Sequence, residues 1–355
     1  MKYLFLLALL TLHLGAIAFF PVGFYDACLP SSPDVEQRLA RFADAGYNCV
    51  LNYALFVEGP EAARHYLDLA NKYNLMVIAS VKDFYFGSKD FPSCMSNPAQ
   101  PQVGLVKAIL ALRDHPALLA WYVNDETPST RLAELTSNYQ LIKSLDPNHP
   151  CYSVIMRDQG IERYRLTCDI IGTDPYPIPG QPLSMVTDWT LAATSTGLPA
   201  WQVIQAFDTS IIKDRKGRLP NAAEVKCMAY LAVASGAKGI MFWSYHRLMQ
   251  ANGGPQLWEA IKTLPSELKH PAIENGKVQS ISVDSGGARI GVRLFEYSGY
   301  RYLLVANPNK TSVLLRIRLK TTSVQAPANL IPPTNKDGWL RINLRPYDAG
   351  IIRYK

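Results

Sequence analysis

From Phe19 to about Leu268, short apolar runs alternate with stretches whose apolar residues recur at helical spacing. That alternation predicts repeated strand–helix units. The first unit reads as strand 20–26 and a helix that Ser32-Pro33 opens and Gly46 ends. Strand 48–55 with helix 60–73 follows, then strand 75–81, a long loop to about Gln100 and helix 102–113. Strand 117–124 and helix 129–144 make the fourth unit, and Asp146-Pro-Asn-His-Pro150 breaks the chain before strand 151–156. A short helix near 160–166 leads to strand 169–174, after which the proline-rich segment 175–182 suits neither regular state. Helix 183–195, strand 200–206, helix 221–235, strand 238–243 and a helix over about 255–267 complete the series. Eight strands and eight helices in about 250 residues predict a (β/α)₈ barrel over residues 19–270. A doubly wound sheet fits less well, because no Gly-rich phosphate loop follows the first strand.

Past a polar linker near 269–277 the pattern changes to short alternating runs at 280–283, 288–294, 302–306, 313–319, 340–344 and 350–354. No helical period appears among them, so residues 276–355 are expected to form a small all-β sandwich. At the other end, Lys2, the apolar stretch Leu4–Leu14 and the small-x-small Ala16-Ile17-Ala18 read as an export signal over residues 1–18, cleaved after Ala18. A secreted or periplasmic protein is therefore expected, with no membrane span in the mature chain.

Six cysteines would then meet an oxidising environment. Cys28–Cys94 and Cys151–Cys168 are candidate pairs, with Cys49 and Cys227 as buried thiols. Their spacing matches no zinc pattern, and no metal is expected. Asn309-Lys-Thr311 is a glycosylation sequon. The net charge of +7 comes without any cluster of Lys or Arg, so nucleic acid is not an expected partner.

The functional end of such a barrel lies at the C-terminal tips of its strands. Those tips carry Tyr25-Asp26, Asn52-Tyr53, Lys82-Asp83 with Tyr85, Asn124-Asp125-Glu126, Arg157-Asp158, Asp174 with Tyr176, Gln205 with Asp208, and Trp243 with Tyr245 and His246. Aromatic rings interleaved with acids and amides suit a sugar, whose C–H faces stack while its hydroxyls take hydrogen bonds. A single acid at a strand tip is most often a helix cap or an ion-pair partner, the commoner expectation for Asp26, Asp83, Asp158 and Asp208 taken one at a time, though Asp208 is also an alternative second acid. The run Ala117–Glu126 is different, since an apolar strand ends in two adjacent carboxylates that are costly to bury unpaired.

Three motifs resemble the clan A glycoside hydrolases: Trp121-Tyr-Val-Asn-Asp-Glu126, Gly239-Ile-Met-Phe-Trp243-Ser-Tyr, and Leu344-Arg-Pro-Tyr-Asp-Ala-Gly-Ile-Ile. The resemblance spans nearly the whole chain and implies cleavage of an oligo- or polysaccharide, with Glu126 as the acid/base and Asp125 replacing the clan's amide. It departs at the seventh strand, where the clan places a nucleophilic Glu and this chain has Gln205. Asp174 is the expected second carboxylate, because it ends the sixth strand beside Tyr176 in a proline-stiffened loop. Tyr25, Asp26, Tyr176, Gln205, Trp243 and Tyr245 are the expected sugar contacts, and no cofactor is implied. Two alternatives stand. One is a substrate-assisted course like that of N-acetylhexosaminidases, which carry an adjacent Asp-Glu pair. The other is a noncatalytic carbohydrate-binding protein on a degenerate barrel. A serine esterase or protease is disfavoured by the lack of a Gly-x-Ser-x-Gly elbow.

Overall fold

A computed structural model describes residues 19–156, 160–212, 216–319 and 323–355. The expected leader and the fifth-strand tip Arg157-Asp158 lie outside the described residues.

Eight parallel strands form one sheet: β1 Val22–Asp26, β2 Cys49–Asn52, β3 Met76–Ser80, β4 Leu118–Asp125, β5 Cys151–Val154, β6 Ile170–Gly172, β7 Trp201–Gln205 and β8 Gly239–Trp243. Their order is β6-β5-β4-β3-β2-β1-β8-β7. Edges β6 and β7 meet through the Ile171–Ala200 bridge and through Val203 N–H donating to Thr173 O at 3.0 Å. The sheet is thus a closed barrel, and burial on both faces explains why its strands read as continuous apolar runs.

Helices α1 Val35–Asp44, α2 Pro60–Lys72, α3 Pro101–Leu112, α4 Leu132–Leu145, α5 Ser184–Ser195 and α6 Ala222–Ala234 surround it. Between β5 and β6 only a 3₁₀ segment, Ile161–Leu166, is present among the described residues. The single helix expected near 255–267 is instead α8 Gly254–Ile261 and α9 Leu264–Leu268, preceded by α7 Tyr245–Gln250 and followed by α10 Pro271–Asn275. Pro265 is the cause of the break: lacking an N–H, it fits the first turn of α9 and not a helix interior.

Bulky side chains fill the barrel interior, Tyr25, Tyr122, Tyr152, Trp201 and Met241 among them. Gly172 makes room for two of these. A Cβ there would lie 2.3 Å from Trp201 O and 2.8 Å from the Tyr152 hydroxyl.

The C-terminal part is all β. One sheet holds β9 Lys277–Gln279, β10 Gly291–Tyr297, β11 Tyr300–Ala306, β13 Val324–Gln325 and β16 Ala349–Tyr354; the other holds β12 Val313–Arg318, β14 Thr334–Lys336 and β15 Trp339–Leu344. Leu294, Leu303, Leu315, Ile342 and Ile352 form the core between them. The expected strand 280–283 is absent; Ile281 and Val283 pack on the core between the sheets, and Asp284 next to them bridges to Arg316 of the second sheet.

The six cysteines are free thiols, which corrects both expected pairings. Their sulfurs are turned elsewhere: Cys94 Sγ lies 3.2 Å from Val57 O and Cys168 Sγ 3.6 Å from Tyr164 O. The sequon amide of Asn309 donates to Arg289 O and to Asn307 Oδ1, each at 2.8 Å. No helix among the described residues is long and apolar enough to cross a membrane.

Candidate active site

The end of β4 is irregular. Its register with β5 shifts between Tyr122 and Asn124, and Glu126 follows in the left-handed region with φ of 55°. The turn is held on both sides. Glu126 N–H donates to Val154 O at 2.9 Å, and Asn124 Oδ1 accepts from Thr127 N–H at 3.1 Å. Thr127 O accepts the Tyr164 hydroxyl at 2.7 Å. The two acids consequently have different surroundings. Asp125 accepts from the Tyr122 hydroxyl at 2.7 Å and lies 3.7 Å from Lys82 Nζ, which also pairs with Asp83 at 3.0 Å.

Glu126 lines a cavity of about 790 Å³ together with Asp174, Tyr176, Met185, Trp189 and Lys216. That size suits a small organic ligand. Asp174 follows β6 and is only 7% exposed. Its carboxyl is pushed well above the usual carboxylate range, first by burial, then by the charge of Glu126 and a hydrogen bond with it, and then by Asp125. The Tyr176 hydroxyl, hydrogen-bonded to Asp174, pulls the other way. Two carboxyls so placed disfavour being ionised together, so the first proton to bind is held more tightly than on an isolated acid.

At the cavity itself, the buried Asp174 Oδ1 has no hydrogen-bond partner among the described residues. Buried polar atoms are rarely left unpaired, so this oxygen is available to a group that enters the cavity.

The expected sugar contacts separate into two groups. Tyr176 lines the cavity, and the half-buried Trp243 packs beside it, its ring 5.9 Å from Tyr176 and 4.4 Å from Phe207. The other four are occupied by protein. Tyr25 is 1% exposed and packs inside the barrel against Tyr53 and Tyr122. Asp26 is also 1% exposed, bonded to Arg38 at 3.2 Å and to Ala27 N–H at 2.9 Å. Burial raises its pKa against the lowering effect of Arg38. Tyr245 is buried away from the mouth, accepting from Arg41 at 2.6 Å and packing on Phe42. Gln205 accepts from Ile178 N–H at 2.9 Å and donates to Ile178 O at 3.0 Å.

Of the remaining tip residues, Asp208 caps Ser210 N–H at 2.8 Å. His246 has its pKa lowered to about 4, first by burial and then by Arg247 and Arg38, and is a neutral imidazole beside Trp243. Among the described residues, no group of three or more His, Cys, Asp or Glu could hold a metal ion. Sequence reasoning missed Met156, Met185, Trp189 and Lys216. The signal for two of them was present: Met185 and Trp189 are four apart and so share one face of α5.

No family model and no curated protein matches this sequence. Solved structures do match its fold. A glycoside hydrolase family 5 protein from Bacteroides vulgatus aligns with a TM-score of 0.65 at 14% identity, covering 95% of this chain and 90% of the other. The α-amylase of Geobacillus thermoleovorans, solved with acarbose, gives 0.60 at 11% identity, covering 95% and 98%. A further structure described as a glycoside hydrolase gives 0.61 at 15% identity, covering 95% and 89%. The fold is that of barrel glycoside hydrolases. At such identities the likeness is one of architecture, and the chemistry rests on this chain's own residues.

Proposed function

We propose that the protein is a secreted glycoside hydrolase that cleaves O-glycosidic bonds of an oligo- or polysaccharide at the barrel mouth. The observation that carries the reading is that the carboxyls of Glu126 and Asp174 line one cavity walled by Tyr176 and Trp189, where burial and the charge of Glu126 push the Asp174 carboxyl up.

The chemistry follows from the shared proton. In the proposed resting state the pair carries one proton. Glu126 donates it to the glycosidic oxygen as the C–O bond breaks. Both carboxyls are then charged, which stabilises the oxocarbenium-like centre. A water molecule adds there, and its proton returns to the pair. Tyr176, Trp189 and Trp243 supply stacking faces for the sugar ring.

One observation favours a substrate-assisted variant of this course. Asp125 is fixed by Tyr122 and Lys82, as an acceptor that orients an N-acetyl group would need to be.

The test is a panel of aryl glycosides, with and without 2-acetamido groups, and of oligosaccharides, assayed for binding and for released product. Product is expected from at least one. Binding without product would make the protein a carbohydrate-binding relative of the hydrolases, a reading that Gln205 in the seventh strand favours. Export belongs to the same proposal: N-terminal sequencing of the protein from its native host should begin at Phe19.

A further inference from the structure

Gln205 stands where clan A glycosidases carry their nucleophile, yet its side chain faces a loop. It is fully buried, at 0% exposure. Its Oε1 accepts from Ile178 N–H at 2.9 Å, while its Nε2 donates to Ile178 O at 3.0 Å and to Phe207 O at 3.3 Å. The Thr209 hydroxyl also donates to Ile178 O, at 3.3 Å.

The loop explains the need. Prolines 175, 177, 179 and 182 leave it only four backbone N–H groups, at Tyr176, Ile178, Gly180 and Gln181. It cannot build a ladder of its own, and its walls Pro177, Ile178 and Pro179 must still face the cavity. A primary amide offers an acceptor and a donor side by side, the pattern that one residue's N–H and C=O require. A carboxylate at 205 would turn an acceptor oxygen towards the carbonyls of Ile178 and Phe207.

We propose that Gln205 is a positioning residue, an amide clamp on Ile178 that holds Tyr176 and Asp174 against Glu126. The seventh-strand position has been given over to this loop, and the second carboxyl of the site comes from the sixth strand. The proposal rests on reading Glu126 and Asp174 as the reacting pair, and its test has one arm that does not depend on turnover.

Gln205→Met removes the three bonds at similar volume, and Gln205→Glu replaces the donor by an acceptor. Hydrogen exchange over peptide 175–182, with its four amides, reads the clamp directly. Both variants should lose protection at Ile178 while the rest of the barrel stays protected. On a substrate found for the wild type, kcat should fall tenfold or more, as small misplacements of reacting groups do, with KM changed less than threefold. Relative to wild type, Gln205→Glu should recover as pH falls, because a protonated carboxyl can again donate to Ile178 O and accept from its N–H. Gln205→Met should not recover. The ionisable groups around the mouth are common to all three proteins: Lys82 and Asp83 after β3, Asp125 and Glu126 at the end of β4, Asp174 and Tyr176 after β6, Asp208 and Lys216 after β7, and His246 after β8. If the Met variant does not fold, the acidic arm of the Glu variant still decides. Unchanged exchange at Ile178 would overturn the clamp, as would turnover in Gln205→Glu above that of wild type. Absence of turnover in the wild type would count against the reading of Glu126 and leave the exchange result standing.

Discussion

Glu126 occupies a backbone conformation that costs an ordinary residue about 1 kcal/mol or more, with φ of 55°. Asp174 adds a second cost, a carboxyl buried beside another carboxyl. Functional sites are where such costs collect. The sign of the second can be worked out. The Asp174 pKa in the folded protein lies above its unfolded value of about 3.9, so the native state binds more protons in the interval between them. Its contribution to stability is therefore present below about pH 4 and lost as pH rises through the folded pKa. His246 works in the opposite direction, because its folded pKa of about 4 lies below the unfolded value. Comparing wild type with Asp174→Asn isolates the carboxyl. The variant should be more stable at pH 7, with a higher Tm, and the gain should shrink towards pH 4. A variant less stable at pH 7 would mean that the fold holds Asp174 charged.

At the scale of elements, the site depends on how far each strand carries its last side chain. Asp125, Glu126 and Asp174 could be read from the sequence because a carboxylate is costly to bury, so one that ends an apolar run marks an opening to solvent or ligand. Tyr25 and Tyr245 could not be placed in the same way. Tyr25 lies one residue before the end of β1 and points into the barrel, while Tyr245 begins α7, where the chain has already turned outward. Strand-tip position alone does not distinguish inward, outward and upward. Trp189 was overlooked for another reason: its spacing of four from Met185 puts both on one face of α5, but that wall belongs to a helix and not to a strand tip. β6 has little room for change. A Cβ on Gly172 would lie 2.3 Å from Trp201 O, two residues before Asp174. Gly172→Ala should cost about 1–3 kcal/mol in denaturant unfolding and lower turnover as Asp174 shifts. A loss below about 0.5 kcal/mol would show that the barrel interior yields there.

At the scale of the whole molecule, the barrel and the β domain were both legible because their hydrophobic periods differ, near 3.6 in one and 2 in the other. How they join was less so. α6 is buried almost all round, from Val225 and Cys227 through Val233, which is unusual for the outer helix of a barrel. The reason is the second domain. Gly291 on β10 packs beside Leu231 and Ala234, and Cys227 Sγ lies 3.4 Å from Asn307 O. Ending the chain after Asn275 would expose that apolar face, so the shortened protein should aggregate, with little monomer in light scattering. A soluble and active monomer would show that the barrel does not need its companion.

Delivery of a proton from Glu126 to a departing sugar oxygen is the step on which the proposed chemistry turns. A leaving group that is already a stable anion needs no such proton, whereas an alkoxide does. The direct measurement is the turnover of wild type and Glu126→Gln on matched glycosides, one with a dinitrophenyl and one with a sugar or alkyl leaving group. A proton donor at Glu126 predicts a loss of about 10²-fold or more for the poor leaving group and under about tenfold for the activated one. Equal losses on both, or none on either, would contradict that role.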